Sequence, residues 1–366
     1  MKYSFYHINK AARGLFIISL FGVIALGLAV TNMPAAHAAP STKQGSCQNV
    51  RISVSTGSGQ ASLYGEFCMP SWIRPTTVQL LVHGATYNHT YWDFPGFDGK
   101  YSYVDVANRG GYATLAIDRL GTGQSTHPAS SQVTYQAQIS TLHQVVQALR
   151  SGTLGMAFSH VEYIGHSFGS AYGVGEVSTY HDVDALMLTG YGHKVSTITQ
   201  QQSSTFFHAA NLEPRFSTPD YSGYITTIPG LRGQGGLFYD PTLANPTVIT
   251  ADEATKDVAS TTEFATRPPD LGTLTPNIHV PVLIIDGQED THYCSAGAND
   301  CTSSKTFLKD EAPFFNTCLS TELVQSGHDI NLHVTARSSY RAFLRWSYAT
   351  LPPIALKARC ALPGAL

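Results

Sequence analysis

The sequence predicts an α/β protein with a mostly parallel central sheet and helices on both faces. Two observations carry this reading. Short apolar runs alternate with segments of helical spacing from about residue 78 to 190, and again from 280 to 348. That is the pattern of strands buried on both faces by crossover helices. Between them, residues 192–277 lose the rhythm and are rich in Thr, Pro, Gly and aromatics. A stretch of that length is an inserted unit rather than a connection.

The N-terminus comes first in order. Lys2, Lys10 and Arg13 precede Gly14 to Val30, which is apolar throughout, and Ala36-His37-Ala38 gives a small-x-small pattern. Residues 1–38 therefore read as a signal peptide removed beside Ala38. A membrane anchor is the competing reading, and the helix-breaking Pro34 favours cleavage. No later segment is apolar enough to span a bilayer, so the mature protein is expected to be soluble and secreted. Losing three cations shifts the net charge from −3 to −6. Charged residues make up only 13% of the chain, against roughly 25% in an average soluble protein. With no Lys/Arg cluster, the surface offers no footprint for nucleic acid. Oligomeric state leaves no mark on the sequence.

Strands are expected over 49–54 and 61–69, around the turn Thr56-Gly57-Ser58-Gly59-Gln60. Cys47 and Cys68 are equidistant from its centre, so a hairpin would set them opposite one another. Cys294 and Cys301 could close a short Gly/Asn/Asp loop, which leaves Cys318 with Cys360. Six cysteines suit an exported chain, although sequence alone does not fix their pairing. Val78–His83 reads as a buried strand, 101–109 as a helix, and Ala113–Asp118 as the next strand. Residues 134–150 show helical spacing through Ile139, Leu142, Val145, Val146 and Leu149. A strand before Ser167, a helix after it and the strand Ala185–Thr189 complete the first half. The insert holds Phe206, Phe207, Tyr221, Tyr224, Phe238 and Tyr239, about half of them expected to form its own core. Val280–Asp286 and a segment near 319–325 read as strands, and 330–348 as an amphipathic helix. The core is thus expected over 39–191 and 278–366, with 192–277 as a cap.

Chemistry concentrates in glycine-framed turns. Gly165-His166-Ser167-Phe168-Gly169 stands where a strand meets a helix. Its bland reading is a glycine-rich turn, because a pattern with three fixed positions is met often by chance. A tight turn there would instead lift the hydroxyl clear of the sheet, beside the free N–H groups of a helix start. A serine needs a general base, and the base needs an orienting group. Gly287-Gln288-Glu289-Asp290 and Gln325-Ser326-Gly327-His328 both follow strands, at the sheet end where functional groups gather in parallel α/β proteins.

Taken with Val82-His83-Gly84-Ala85-Thr86 and Asp118-Arg119-Leu120-Gly121-Thr122-Gly123-Gln124-Ser125, these motifs resemble those of the α/β-hydrolase fold, in its order, from about 78 to 348 outside the insert. The resemblance is to secreted esterase- and lipase-like serine hydrolases with a cap after the sixth strand. It implies Ser167 as nucleophile, His328 as general base and Asp290 as the acid that holds the imidazole. The backbone N–H groups of Ala85 and Phe168 would form the oxyanion hole, and the Asp118 turn would be structural.

Neighbouring residues compete for these roles. Asp286 lies in or at the end of the strand, and the Gly-x-x-Asp spacing favours Asp290 over Asp286 and Glu289. His333 follows His328 by five residues, too far along. His83 and His166 are expected to shape their loops by hydrogen bonding, and His292 to lie at the rim. No His, Asp or Glu spacing indicates a metal, and no cofactor is implied. The sequon Asn88-His89-Thr90 is expected to be unmodified, since a glycan there would crowd the site.

Acyl transfer to water on a small-molecule ester is the expected reaction, with Tyr87, Trp92, Phe206 and Tyr221 as candidate pocket residues. A carboxylesterase acting on a fairly apolar ester or lactone comes first. A secreted aminopeptidase or iminopeptidase is the alternative, with Glu213, Asp220, Asp252, Glu253 and Glu263 as possible ammonium partners. Hydroxynitrile-lyase-like or peroxidase-like chemistry would use the same three residues. A non-catalytic binding protein on this scaffold would lack one of them or block the loop, and the sequence does neither.

Overall fold

The computed structural model describes residues 45–234 and 236–354. The expected signal peptide with its Ala38 site, and Cys360, lie outside them. The described residues fall within one compact unit. The strands are β1 (Gly45–Thr56), β2 (Gly59–Pro70), β3 (Thr77–Val82), β4 (Ala113–Ile117), β5 (His160–His166) and β6 (Ala185–Thr189). After them come the short β7 (Phe207–Ala209), β8 (Tyr224–Thr227) and β9 (Ala259–Ser260), then β10 (Val282–Gly287) and β11 (Leu319–Val324). Eight of these build the main sheet in the order β1-β2-β4-β3-β5-β6-β10-β11. β2 runs antiparallel to both β1 and β4, and every other pairing is parallel.

Alternation along each strand sends its side chains to two separate cores. Leu80 and Val82 of β3 join one cluster, and Leu81 between them joins the other. Helices α2 (Tyr135–Ser151) and α3 (Phe168–Tyr180) cover the first face. Helices α1 (Tyr103–Arg109) and α8 (Ala336–Thr350) cover the second with Tyr103, Tyr340 and Phe343. That double covering is what the near-continuous apolar runs predict. The hairpin register sets Cys47 directly opposite Cys68, and the two are disulfide-bonded. Cys294 and Cys301 form a second disulfide.

The helix expected over 330–348 begins later. Ile330–Leu332 is a single 3₁₀ turn, His333 bridges to Ala244, and α8 starts at Ala336. The backbone N–H of Val334 donates to the Leu243 carbonyl at 3.0 Å. This bond to the long β6–β10 segment competes with a helical one. Apolar spacing does not reveal such tertiary pairing.

The segment between β6 and β10 contains α4 (Thr197–Phe206), α5 (Pro246–Thr255) and α6 (Thr261–Thr266), with a small antiparallel sheet in the order β7-β8-β9. One buried ion pair fastens it to the core, and a second braces it from within. Arg119, after β4, reaches Glu263 of α6 at 3.0 Å, and Tyr172 and Gln138 also donate to Glu263. Arg232 and Asp252 pair at 2.8 Å, and Arg232 bonds Thr86 of the loop after β3. Helix α7 (Ser304–Glu311) lies between β10 and β11.

Candidate active site

β5 turns into α3 through Ser167, whose backbone stands at φ 54° and ψ −114°, a conformation that L-residues rarely adopt. The flanking glycines are sterically required. A Cβ on Gly165 would come 2.5 Å from the Gly169 backbone, and one on Gly169 would come 2.2 Å from the Val82 carbonyl oxygen. The turn is tied down where Ser167 N–H donates to the Thr189 carbonyl at 2.9 Å. Ser167 thereby sits at the start of a 13-residue helix, where unpaired N–H groups and the dipole favour negative charge.

The loop after β3 packs against this elbow. His83 Nδ1 donates to the Gly84 carbonyl at 2.8 Å, and its Nε2 accepts from Arg119 N–H at 3.2 Å. Burial and the neighbouring Arg119 keep His83 neutral, well below its ordinary pKa. Thr86 has φ 61°. It is held by Arg232 at its hydroxyl, 2.9 Å, and by Asp257 N–H at its carbonyl, 2.8 Å. Ala85 and Ser167 line the same cavity.

Two further turns meet beyond β10 and β11. A Cβ on Gly287 would lie 2.2 Å from the Ser326 carbonyl oxygen, so the absence of a side chain there lets the Asp290 and His328 turns approach. His328 Nδ1 bonds Asp290 Oδ2 at 2.7 Å, and Asp290 Oδ1 accepts from His292 N–H at 2.7 Å. Burial works against ionisation of Asp290, but the His328 imidazole outweighs it and holds the carboxyl below the usual range. Burial likewise works against charge on His328, and Asp290 reverses this, raising its pKa above the ordinary value. Asp286 is buried beside Asp290; burial and that neighbour push its pKa well up. Glu289 is exposed. The imidazole partner is thus Asp290. His333 is structural, its Nε2 accepting from Gly327 and Asp240 N–H at 3.1 and 3.0 Å.

Behind the elbow runs a buried polar network that the sequence does not foreshadow. His166 stacks on Tyr91 with centroids 4.3 Å apart, and its Nε2 lies 3.3 Å from Asp329. Tyr87 hydroxyl donates to Asp329 and contacts Asp252, which also accepts from Arg232 and Tyr239. Burial and Asp252 push Asp329 up to about 8. Burial and His328 push His166 well down and His292 to about 4. Both histidines are therefore neutral beside His328 at pH 7.

Ser167 and His328 line one cavity of about 320 Å³. The four expected pocket aromatics are not in its wall. Tyr87 and Trp92 are buried in the second core, Phe206 packs on Phe207 and Phe238, and Tyr221 packs at a tilt against Phe216. Apolar rings near a loop in sequence serve the core as readily as a pocket, and nothing local separates the two. The wall is formed instead by Phe168, Phe207, Phe238, Phe264 and Tyr191, with His193, Arg267 and Asp270. Asp252 and Glu263 are consumed by Arg232 and Arg119, and Glu213 and Glu253 pair with Lys256. Asp220 is exposed and outside the cavity.

Folding also assembles groups that sequence spacing does not suggest. Asp290, His292 and His328 offer donor atoms within 4.8 Å of one another, as do His143, Glu176 and Asp182. Such groups could hold a metal ion, though in the first the Asp290–His328 hydrogen bond already engages two of the donors.

The sheet order, the elbow and the paired turns define an α/β-hydrolase. Residues 79–337 match the sequence profile of the alpha/beta hydrolase family, and the chain belongs to it. A curated relative is 2-hydroxy-6-oxo-6-(2'-aminophenyl)hexa-2,4-dienoic acid hydrolase from Metapseudomonas resinovorans, 27% identical over 158 residues. The match covers 36% of this chain and 52% of that protein, so the chain spans about half the length of the curated relative. Solved structures of similar fold include an esterase from Exiguobacterium antarcticum, with TM-score 0.55 and 18% identity, covering 81% of this chain and 99% of that one. A soluble variant of monoglyceride lipase from Saccharomyces cerevisiae gives 0.56 and 18%, over 84% and 96%. A bromoperoxidase from Bacillus anthracis gives 0.55 and 17%, over 81% and 99%. At these identities the likeness establishes the fold, and function must be argued from the site.

Proposed function

We propose that this protein is a secreted serine hydrolase, a carboxylesterase that transfers the acyl group of a fairly apolar ester to water. One observation carries the reading: Ser167 stands in a strained elbow on the wall of the cavity that His328 also lines, and His328 is held by buried Asp290. Ser167 Oγ attacks the ester carbonyl carbon while His328 Nε2 takes its proton. Asp290 keeps Nδ1 protonated and stabilises the imidazolium. The backbone N–H groups of Phe168 and Ala85 receive the oxyanion, each such donor being worth about 2.7–4 kcal/mol in the transition state. The imidazolium then protonates the leaving alcohol, and a water activated by His328 releases the acid.

The neutral state of His166 and His292 supports this cycle, because a second cation would oppose the imidazolium. Residues 192–277 act in it as the cap, contributing Phe207, Phe238 and Phe264 to the cavity. The two disulfides are compatible with an extracellular protein. Among the described residues no helix is long and apolar enough to cross a membrane. An ester is favoured over an aminoacyl substrate because the five candidate ammonium partners are paired or outside the cavity.

A fluorophosphonate probe should label Ser167, with the modified peptide identified by mass spectrometry. Ser167→Ala should retain the fold and lose hydrolysis of short p-nitrophenyl esters by at least about 10³-fold. Activity of the variant near that of the parent would overturn the reading.

A further inference from the structure

Arg267 is the residue that a neutral ester leaves unexplained. It follows α6 directly and is half-buried in the wall of the cavity that holds Ser167 and His328. Its guanidinium carbon lies 5.8 Å from the centre of the Phe168 ring. Among the described residues no carboxylate comes within ion-pair distance of it. The one acidic side chain in the same wall, Asp270, is exposed, and its Oδ1 is engaged by the Gly272 backbone N–H at 2.8 Å. The other large buried cations in the region are saturated: Arg119 by Glu263, and Arg232 by Asp252.

The backbone that carries Arg267 is firmly anchored. Helix α6 carries a capping box between Ser260 and Glu263, and Glu263 is the buried carboxylate that Arg119, Gln138 and Tyr172 hold in place. Pro268 and Pro269 follow and stiffen the backbone beyond it. The guanidinium is thus presented from a rigid platform next to the residue that follows the nucleophile.

Filling the cavity with a wholly apolar ligand would strip water from this unpaired cation, at a cost that grows as the site closes. A ligand with one carboxylate would remove that cost and gain charge-assisted, bidentate hydrogen bonds, for which the planar guanidinium is suited. We infer that Arg267 is a specificity residue, and that the preferred substrates are esters whose acyl or alcohol part bears a carboxylate. The inference rests on the hydrolase reading for turnover but not for binding.

The test therefore has two arms. In the first, p-nitrophenyl hydrogen glutarate, anionic at pH 7.5, is compared with p-nitrophenyl butyrate on the wild type, Arg267→Gln and Arg267→Lys. The ratio of kcat/KM for the anionic over the neutral ester should fall by about 10- to 100-fold in Arg267→Gln. Most of that change is expected in KM, with partial retention in Arg267→Lys. In the second arm, Ser167→Ala protein is titrated calorimetrically with monomethyl glutarate and with dimethyl glutarate. The monoanion should bind more tightly, and adding Arg267→Gln should abolish the difference. An unchanged kcat/KM ratio, or binding that ignores the charge of the ligand, overturns the inference. If Ser167 is never labelled and no ester is turned over, the hydrolase reading fails, and the calorimetric arm alone decides this one.

Discussion

Asp290 and Asp286 stand four residues apart, both buried, yet they are pushed in opposite directions. Asp290 is held ionised by His328, and Asp286 is driven towards its neutral form by burial and by Asp290 itself. Asp290→Asn should therefore lower kcat on the order of 10⁴-fold, and Asp286→Asn far less. A larger loss from Asp286→Asn would reverse the assignment. The same geometry sets the pH profile. In the proposed cycle His328, as general base, must be neutral, and its pKa lies above the ordinary value because Asp290 overcomes the effect of burial. So kcat/KM should fall with acidification through a midpoint above 6.5, and Asp290→Asn should move that midpoint down. At this scale the sequence is most legible. Ser167, Asp290 and His328 each sit in a glycine-marked turn after a strand, a local signature of backbone that must approach closely. Arg232, Arg267 and Asp329 carry no such signature, because their roles depend on partners 20 to 242 positions away or on a cavity wall.

Among the elements, the long hairpin of β1 and β2 is most readily tested. β1 is the edge of the main sheet, largely exposed, and Cys47 ties its outer end to Cys68. Replacing both cysteines by serine should cost about 2–4 kcal/mol, measured by urea unfolding of the oxidised protein. Fraying should be confined to the hairpin, which amide hydrogen exchange would locate. Strand and helix order was readable because burial on both faces leaves unbroken apolar runs. The start of α8 was not readable, since Val334 surrenders its helical bond to a carbonyl that arrives from the β6–β10 segment.

Across the whole molecule, that segment is joined to the sheet by buried charge rather than by apolar contact alone. Arg119–Glu263 crosses from the sheet to the segment, and Arg232, paired with Asp252 inside the segment, reaches across to Thr86; both pairs have almost no exposure. Removing one partner strands the other, so Glu263→Ala should destabilise by about 3–5 kcal/mol, and Glu263→Gln by less. Thermal denaturation of both variants, with ester turnover in parallel, would separate loss of the clamp from loss of the site. The insert itself was visible as a break in rhythm. Its attachment was not, because a buried pair separated by 144 residues leaves no pattern in either stretch of sequence.

The backbone of Ser167, at φ 54° and ψ −114°, has an evolutionary consequence. Glycine tolerates that conformation without penalty, whereas serine stores strain of about 1–3 kcal/mol there. Ser167→Gly should therefore melt higher than the parent while being inert towards esters. Selection for stability alone would drift towards glycine at this position, so the proposed nucleophile is the one side chain here whose retention runs against stability.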